Sequence, residues 1–371
     1  MDAIATEQFN HTIYSENKCN RRCSSKVFIL LFILIIIPIS VVDSKECYLP
    51  NNGSLYNGAF TPVQYHHHEM ELTHESISSY VNNSGRSLAI IALSHEWSVN
   101  RSFPLDQVHA IQSFGAIPYI RLMMRNNIEQ YQAEPIYTLK RIRDGMYDTE
   151  LRQFARVARS ISSPILIEYG TEMNGWWFSW NGYWTGREEG PALFQSSYRH
   201  IIDIMKEEEA ENLIWVFHIN WHSNPEEEWN IPEAYYPGDD YIDIIGVSAY
   251  GALLPEDKGT LPFSYMMDKG YVLAKNISPV KPVFVSEFGT DLNNKCSSAT
   301  AWTEEAFKAL FDEKRWPDII GFVWWNAGWP HDNNPANNTT MRIEEDEKMR
   351  NLFQRCLASD KVLEKYCEKQ S

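Results

Sequence analysis

Pro164-Ile-Leu-Ile-Glu168-Tyr-Gly-Thr-Glu172-Met-Asn-Gly-Trp-Trp-Phe-Ser-Trp180 begins as a short apolar run and opens into a carboxylate followed by tryptophans. The apolar half reads as a strand. Just past it stand Glu172 and Asn174, then Trp176, Trp177, Trp180 and Trp184. A carboxylic acid beside flat aromatic rings suits a site that cleaves carbohydrate. The acid protonates a leaving oxygen, and the rings stack on the apolar faces of sugars. The same residues also fit a tryptophan-rich core loop with a solvated glutamate. The rest of the chain has to decide between the two.

Working outward, similar runs recur at Leu55–Phe60, Leu88–Leu93, Ala116–Leu122, Leu213–His218, Tyr241–Val247, Pro282–Ser286 and Ile320–Trp325. Amphipathic stretches separate them, at Glu69–Tyr80, Leu105–Ser113, Thr149–Ser162, Ala192–Glu209, Ser264–Lys275 and Thr303–Phe311, with Glu344–Leu357 last. Strands alternating with helices imply a parallel sheet with crossover connections. Eight of them are the number that closes a (β/α)8 TIM barrel, an α/β fold. A doubly wound open sheet would announce itself with a Gly-rich turn after an early strand, and none is present. One barrel domain is therefore expected over residues 50–371.

In such a barrel the active site gathers at the C-terminal ends of the strands. The residues there are His95, Glu96 and Trp97 after strand two, Arg121 and Arg125 around the end of strand three, and Glu172 after strand four. His218 and Asn220 follow at strand five, Tyr250 at strand six, and Trp324, Trp325 and Asn326 at strand eight. Strand seven, Lys281-Pro-Val-Phe-Val-Ser-Glu287-Phe-Gly289, supplies a second carboxylate. Strands four and seven face each other across a barrel mouth, so Glu172 and Glu287 form a candidate pair. Paired carboxylates flanking a glycosidic bond are the machinery of glycoside hydrolysis. A separation of about 5–5.5 Å gives retention and one of about 6.5–9.5 Å gives inversion.

Glu172-Met-Asn-Gly-Trp-Trp177-Phe-Ser-Trp180 resembles the acid/base motif of glycoside hydrolase family 26, the family of β-mannanases and related β-glycanases. The resemblance implies a (β/α)8 barrel and retaining chemistry, with Glu172 as general acid/base and Glu287 as nucleophile. It also implies Trp177 as the aromatic beside the acid/base and Tyr250 as the residue orienting the nucleophile. Trp324 or Trp325 would be the strand-eight platform; strand alternation points only one of them inward. Two positions depart from the family pattern. Thr171 stands where that family usually has His, and Glu168 where it usually has Arg. Glu168 would share a strand face with Glu172 if the strand runs on, or it pairs with Arg121. The departures bear on the substrate more than on the reaction.

Other candidates are Asn174, Trp97, His95, Arg121 and His218 as substrate contacts. His66-His67-His68 reads as a solvated loop, because consecutive histidines diverge, and Asp239-Asp240 as a turn. No metal or cofactor is called for, since retaining hydrolysis needs none. The net charge of −16 speaks against nucleic acid as a partner; a polysaccharide or oligosaccharide is the expected one. A non-catalytic glycan-binding protein on a degenerate barrel would have no reason to keep both glutamates. A type II glycosyltransferase would normally show a metal-binding Asp-X-Asp at a strand end.

Val27–Val42 carries no charge and follows Lys18, Arg21, Arg22 and Lys26. That pattern engages the secretory pathway. Residues 1–26 are then cytosolic and residues 27–42 a signal anchor, giving a single-pass type II membrane protein with a lumenal or extracellular barrel. Cleavage near Val42-Asp-Ser44 would release a secreted form. Sequons at Asn52, Asn82, Asn100, Asn276, Asn337 and Asn338 all follow the apolar run, consistent with a glycoprotein. Cys47, Cys296, Cys356 and Cys367 also follow it and allow up to two disulfide bonds. Cys19 and Cys23 precede it.

Overall fold

Strands covered on both faces have no wet side, so they read as apolar runs rather than alternations. In the computed structural model these runs form β1 (Leu55–Phe60), β2 (Ile90–Glu96), β3 (Ile117–Met123), β4 (Ile165–Tyr169), β5 (Leu213–Asn220), β6 (Ile244–Tyr250), β7 (Val283–Gly289) and β8 (Ile319–Trp325). They pair in chain order, all parallel. The sheet closes where β1 meets β8, from Tyr56 opposite Gly321 to Phe60 opposite Trp325. The expected (β/α)8 barrel is therefore the fold. The structure describes residues 49–50, 53–63, 72–126, 130–312, 314–331 and 334–366.

Helices cover the outside: α1 (His74–Ser84), α2 (Leu105–Ser113), α3 (Leu139–Arg143), α4 (Asp148–Arg159), α5 (Gly182–Thr185), α6 (Gly190–Glu207), α7 (Pro232–Tyr235), α8 (Phe263–Ile277), α9 (Ala299–Leu310) and α10 (Glu347–Leu357). Local chemistry sets their ends. Thr73 and Ser76 form a reciprocal capping box at the start of α1, and Gly85 ends it at φ 71°. α4 turns Leu151, Phe154, Ala155 and Ala158 to the sheet and leaves its arginines outside. There Arg152, Arg156 and Arg159 meet Glu207, Glu208 and Glu209 at the end of α6. These contacts form an exposed ion-pair row, of small energetic weight.

The structure corrects the sequence reading at three points. β2 runs from Ile90 to Glu96 rather than ending at Leu93, so His95 and Glu96 lie within it. β6 begins at Ile244 rather than Tyr241, because Tyr241 and Ile242 are tied back to the carbonyl of Gly238 in the turn that also holds Asp239 and Asp240. The β3–β4 connection carries α3 as well as α4; Thr138 caps α3 through its side chain. The uncharged run 27–42, His66–His68, Asn52, Cys47 and Cys367 lie outside the described residues. Among the described residues no helix is long and apolar enough to cross a membrane. Cys296 and Cys356 are free thiols. The sequon residues Asn82, Asn100 and Asn276 are exposed.

Candidate active site

β4 stops at Tyr169, and the chain turns sharply. Gly170 takes φ 65°, and a Cβ there would lie 2.3 Å from the ring of Phe194 on α6. Only glycine fits both conditions. Glu172 follows at φ 47°, a left-handed conformation that is costly for a residue with a side chain. Its neighbours hold it there. The Glu172 amide donates to the carbonyl of His218 at 2.9 Å, and its own carbonyl accepts from Gly175 at 2.8 Å. The Trp177 indole N–H donates to the Glu172 carboxylate at 2.8 Å. Glu168 and Glu172 are therefore not related by strand alternation. Glu168 is inside the barrel on β4, and Glu172 rides the turn above it.

Asn174 braces that turn. Its amide group donates to the carbonyls of Asn220 and His222, and its oxygen accepts from the Asn220 amide at 2.9 Å. These bonds join the loops after β4 and β5 and absorb the side chain, so Asn174 shapes the mouth instead of reaching into it. Trp180 donates to the carbonyl of Thr171 at 2.8 Å and is itself buried.

Across the barrel, Glu287 on β7 is 4% exposed. The Tyr250 hydroxyl donates to it at 2.6 Å, and Nε of Arg121 on β3 lies 3.1 Å away. The Arg121 guanidinium sits over the Trp325 ring at 4.7 Å and donates to Ser94 at 2.6 Å. Its Nε is also 3.5 Å from Glu168, its register partner on β4. Glu168 accepts in addition from the Tyr119 hydroxyl and, at 2.8 Å, from Nδ1 of His218 on β5. The other ring nitrogen of His218 meets the Ser248 hydroxyl of β6. Inward-pointing residues of β2 to β8 thus form one polar layer beneath the mouth.

The charges in this layer act on one another. Burial pushes the Glu287 carboxyl up to about 7 against the opposing pull of Arg121 and His218; Glu172 and Glu168 add to the rise. Glu168 goes the other way. Burial would raise it, but the charge and hydrogen bond of His218, with Arg121, hold it below the ordinary carboxylate range. His218 is raised despite its burial, chiefly by Glu168. Burial, and then Glu287, push the Tyr250 hydroxyl well up, which keeps it a donor. Glu168, His218 and Glu287 offer ligand atoms within 4.8 Å of one another. The Arg121 guanidinium already stands between the two carboxylates as their counter-charge, which leaves little reason for a metal cation there.

His95, Trp97 and Trp324 fall outside the layer: strand alternation turns His95 and Trp324 to the helices, and Trp97 sits in the turn just past β2. His95 lies against Phe154 of α4, with ring centroids 5.7 Å apart, and burial lowers it to about 4, leaving it neutral. Trp97 is packed edge-on between Tyr137 and Tyr147. Trp324 packs against Phe288 and Phe353 and donates to the carbonyl of Met341 at 3.0 Å. Trp325 is the strand-eight ring that faces in. Glu96 and Arg125 form a buried two-bond ion pair, and Asn326 is taken up by Glu344. Sequence reading missed Tyr119, Ser248 and the tilted ring pair Trp221–His222, whose centroids are 4.2 Å apart. The inward alternation from Arg121 to Tyr119 was the available signal for the first.

Residues 129–275, which include the Glu172 turn and Tyr250, match a known family. The chain resembles glycosyl hydrolase family 26. It is 23% identical over 303 residues to endoglucanase H of Acetivibrio thermocellus, covering 81% of this chain and 31% of that protein. It is 25% identical over 194 residues to a mannan endo-1,4-beta-mannosidase of Bacillus subtilis, covering 52% of this chain and 44% of that one. The chain thus spans less than half the length of these curated relatives. A solved structure of a Cellulomonas fimi endo-beta-1,4-mannanase double mutant shares the fold at TM-score 0.65 and 16% identity, covering 89% of this chain and 77% of that one. A Bacillus subtilis mannanase does so at TM-score 0.57 and 17% identity, covering 89% and 91%. Within family 26 terms, Thr171 and Glu168 remain departures, and both now have partners: Thr171 Oγ1 lies 2.9 Å from Nδ1 of His218.

The Tyr250–Glu287 bond gives a direct expectation. A Tyr250→Phe protein loses a donor to a carboxylate, a bond worth about 1.5–3 kcal/mol. Its kcat/KM should fall roughly ten- to hundredfold, with the acidic limb of the pH profile moved upward because the charged form of Glu287 has lost a stabilising bond. A pH–rate profile of the two proteins side by side checks both points.

Proposed function

We propose that the protein hydrolyses β-glycosidic bonds within a β-linked polysaccharide, mannan or a related β-glycan, by double displacement. Glu172 protonates the leaving oxygen while Glu287 attacks the anomeric carbon, giving a glycosyl ester and a free chain end. Glu172, now a carboxylate, takes a proton from water; that water attacks the same carbon and Glu287 leaves. Two inversions restore the β configuration.

The observation that carries this reading is the unequal dressing of the two carboxylates. Glu287 is buried, held by Tyr250 and faced by Arg121, as suits a fixed nucleophile. Among the described residues, the Glu172 carboxylate is tethered by one indole N–H on the turn at the mouth, as suits a group that gives and takes a proton. Trp177 and the Trp221–His222 pair offer rings for the sugar faces, whereas the Trp325 ring is stacked on Phe60 and covered by Arg121. The uncharged run 27–42 would place the reaction on the lumenal or extracellular side, tethered or, after cleavage, secreted. Relatives bearing mannosidase and endoglucanase names support both mannan and glucan as substrates to try.

Release of reducing ends from mannan, mixed-linkage glucan and xylan by the full-length protein tests the proposal. Expected is turnover of at least one, with β-configured product seen by proton NMR in the first minutes. Binding without turnover of all three would sink it in favour of a glycan-binding barrel, and α-configured first product would overturn the double displacement.

A further inference from the structure

The polar layer holds two carboxylates, Glu168 and Glu287, both within ion-pair reach of one guanidinium, that of Arg121. All three side chains are buried. A single buried cation shared by two anions serves neither well, since each unit of unbalanced charge in a dry interior costs several kcal/mol. Among the described residues, Glu168 is the carboxylate of the two in direct contact with a second cationic group. Nδ1 of His218 lies 2.8 Å from its carboxylate, Tyr119 donates to it, and the Ser248 hydroxyl lies against the other ring nitrogen. A carboxylate at one ring nitrogen and a hydroxyl able to accept at the other suit the charged form of the imidazole.

We propose that His218 is a positioning residue whose positive charge neutralises Glu168 and thereby frees Arg121 for Glu287. The inference rests on the hydrolase reading for what Glu287 does, but not for the pairing itself. Every charged or titratable group facing His218 and Glu287 enters the balance: Tyr119 and Arg121 from β3, Glu168 and Glu172 from β4 and its turn, and Tyr250 from β6. Ser94 on β2 and Trp325 on β8 add no charge. With the pair formed, the layer carries two cations, Arg121 and His218, against two anions, Glu168 and Glu287. The charge that Glu168 brings to β4 is thus cancelled from β5, and the nucleophile keeps its own counter-ion.

The pairing predicts a crossed result that a packing role does not. His218→Asn removes a cation and leaves Glu168 to compete for Arg121. The acidic limb of kcat/KM should rise by about one pH unit, a roughly tenfold loss on its acid side. Glu168→Gln in the same chain removes the competitor, and the double variant Glu168→Gln/His218→Asn should return the limb to within a few tenths of the wild-type position. A limb that His218→Asn leaves in place, or that the second substitution fails to restore, overturns the proposal.

A second readout does not need activity. Ring nitrogen-15 shifts of His218, assigned by difference against His218→Asn, should report a charged imidazole at pH 7 in the parent protein and a neutral one in Glu168→Gln. A neutral ring in the parent overturns the pairing. If the parent turns over no glycan while the ring behaves as expected, the hydrolase reading fails and the pairing stands.

Discussion

Glu287→Ala protein should lose at least about 10⁴-fold in kcat/KM on a polysaccharide, and added azide should return part of the rate while giving an α-glycosyl azide. Removing a nucleophile, the role proposed for Glu287, costs as much as removing the whole catalytic unit, because the covalent path is closed. The alanine leaves a hole beside Tyr250 and Arg121 that a small anion can enter. Azide then attacks the face that Glu287 would have attacked, and one inversion is all the product undergoes. Glu172→Ala should respond in the opposite sense. General acid assistance contributes about 10²–10⁴-fold, so poor leaving groups suffer and an aryl glycoside with a good leaving group forms its glycosyl ester almost normally. Azide then attacks the ester in the space Glu172 vacates, and two inversions give the β product. Exchange of these two stereochemical outcomes would reverse the roles assigned here. Retention of more than a few per cent of activity in Glu287→Ala would remove Glu287 from the chemistry.

Much of this arrangement is legible in the sequence, for a reason that also explains what is not. Buried parallel strands announce themselves as apolar runs, and the residues that end them mark the barrel mouth, so Glu172, Glu287 and Tyr250 stand out. Inward or outward direction is harder to read. His95 and Arg121 each lie near a strand end and look equally functional, yet one slip of a residue sends a side chain to the helices. Trp324 and Trp325 show the same ambiguity, resolved by their contacts: Trp324 packs against Phe353 of α10, and Trp325 lies under the Arg121 guanidinium. Glu168 was harder still. Its meaning depends on Arg121 beside it and His218 beyond it, residues distant in the chain that only the closed sheet brings together. The left-handed turn at Glu172 was invisible, because the residue is an ordinary glutamate and its neighbours supply the strain.

Arg121→Gln should be the most damaging substitution for stability, and the damage should depend on pH. The variant strands two buried carboxylates without their shared cation, and breaking a buried pair in this way costs about 3–5 kcal/mol. The sign follows from the two groups. Glu168 sits below the ordinary carboxylate range, so its contribution is present above the unfolded value and is lost as pH falls through the folded one. Without Arg121 that depression shrinks, and stability is lost wherever Glu168 is charged. Glu287 is already raised to about 7, so the folded state binds its proton more readily than the unfolded chain, and the cost of its charge appears as pH rises through 7. Losing Arg121 moves it further up and enlarges that cost. The Glu287 effect is greatest near pH 8 and diminishes towards pH 5, where Glu287 takes up its proton and only Glu168 is left to suffer. Denaturant unfolding of parent and variant should therefore show a gap of about 3–5 kcal/mol at pH 8 that narrows markedly at pH 5. Arg121→Lys should fall between them, since it keeps the charge but not the fork that reaches Ser94 and both carboxylates. A gap of equal size at the two pH values would mean that Arg121 stabilises the barrel by packing over Trp325, and that the charge balance described here is not what holds the layer together.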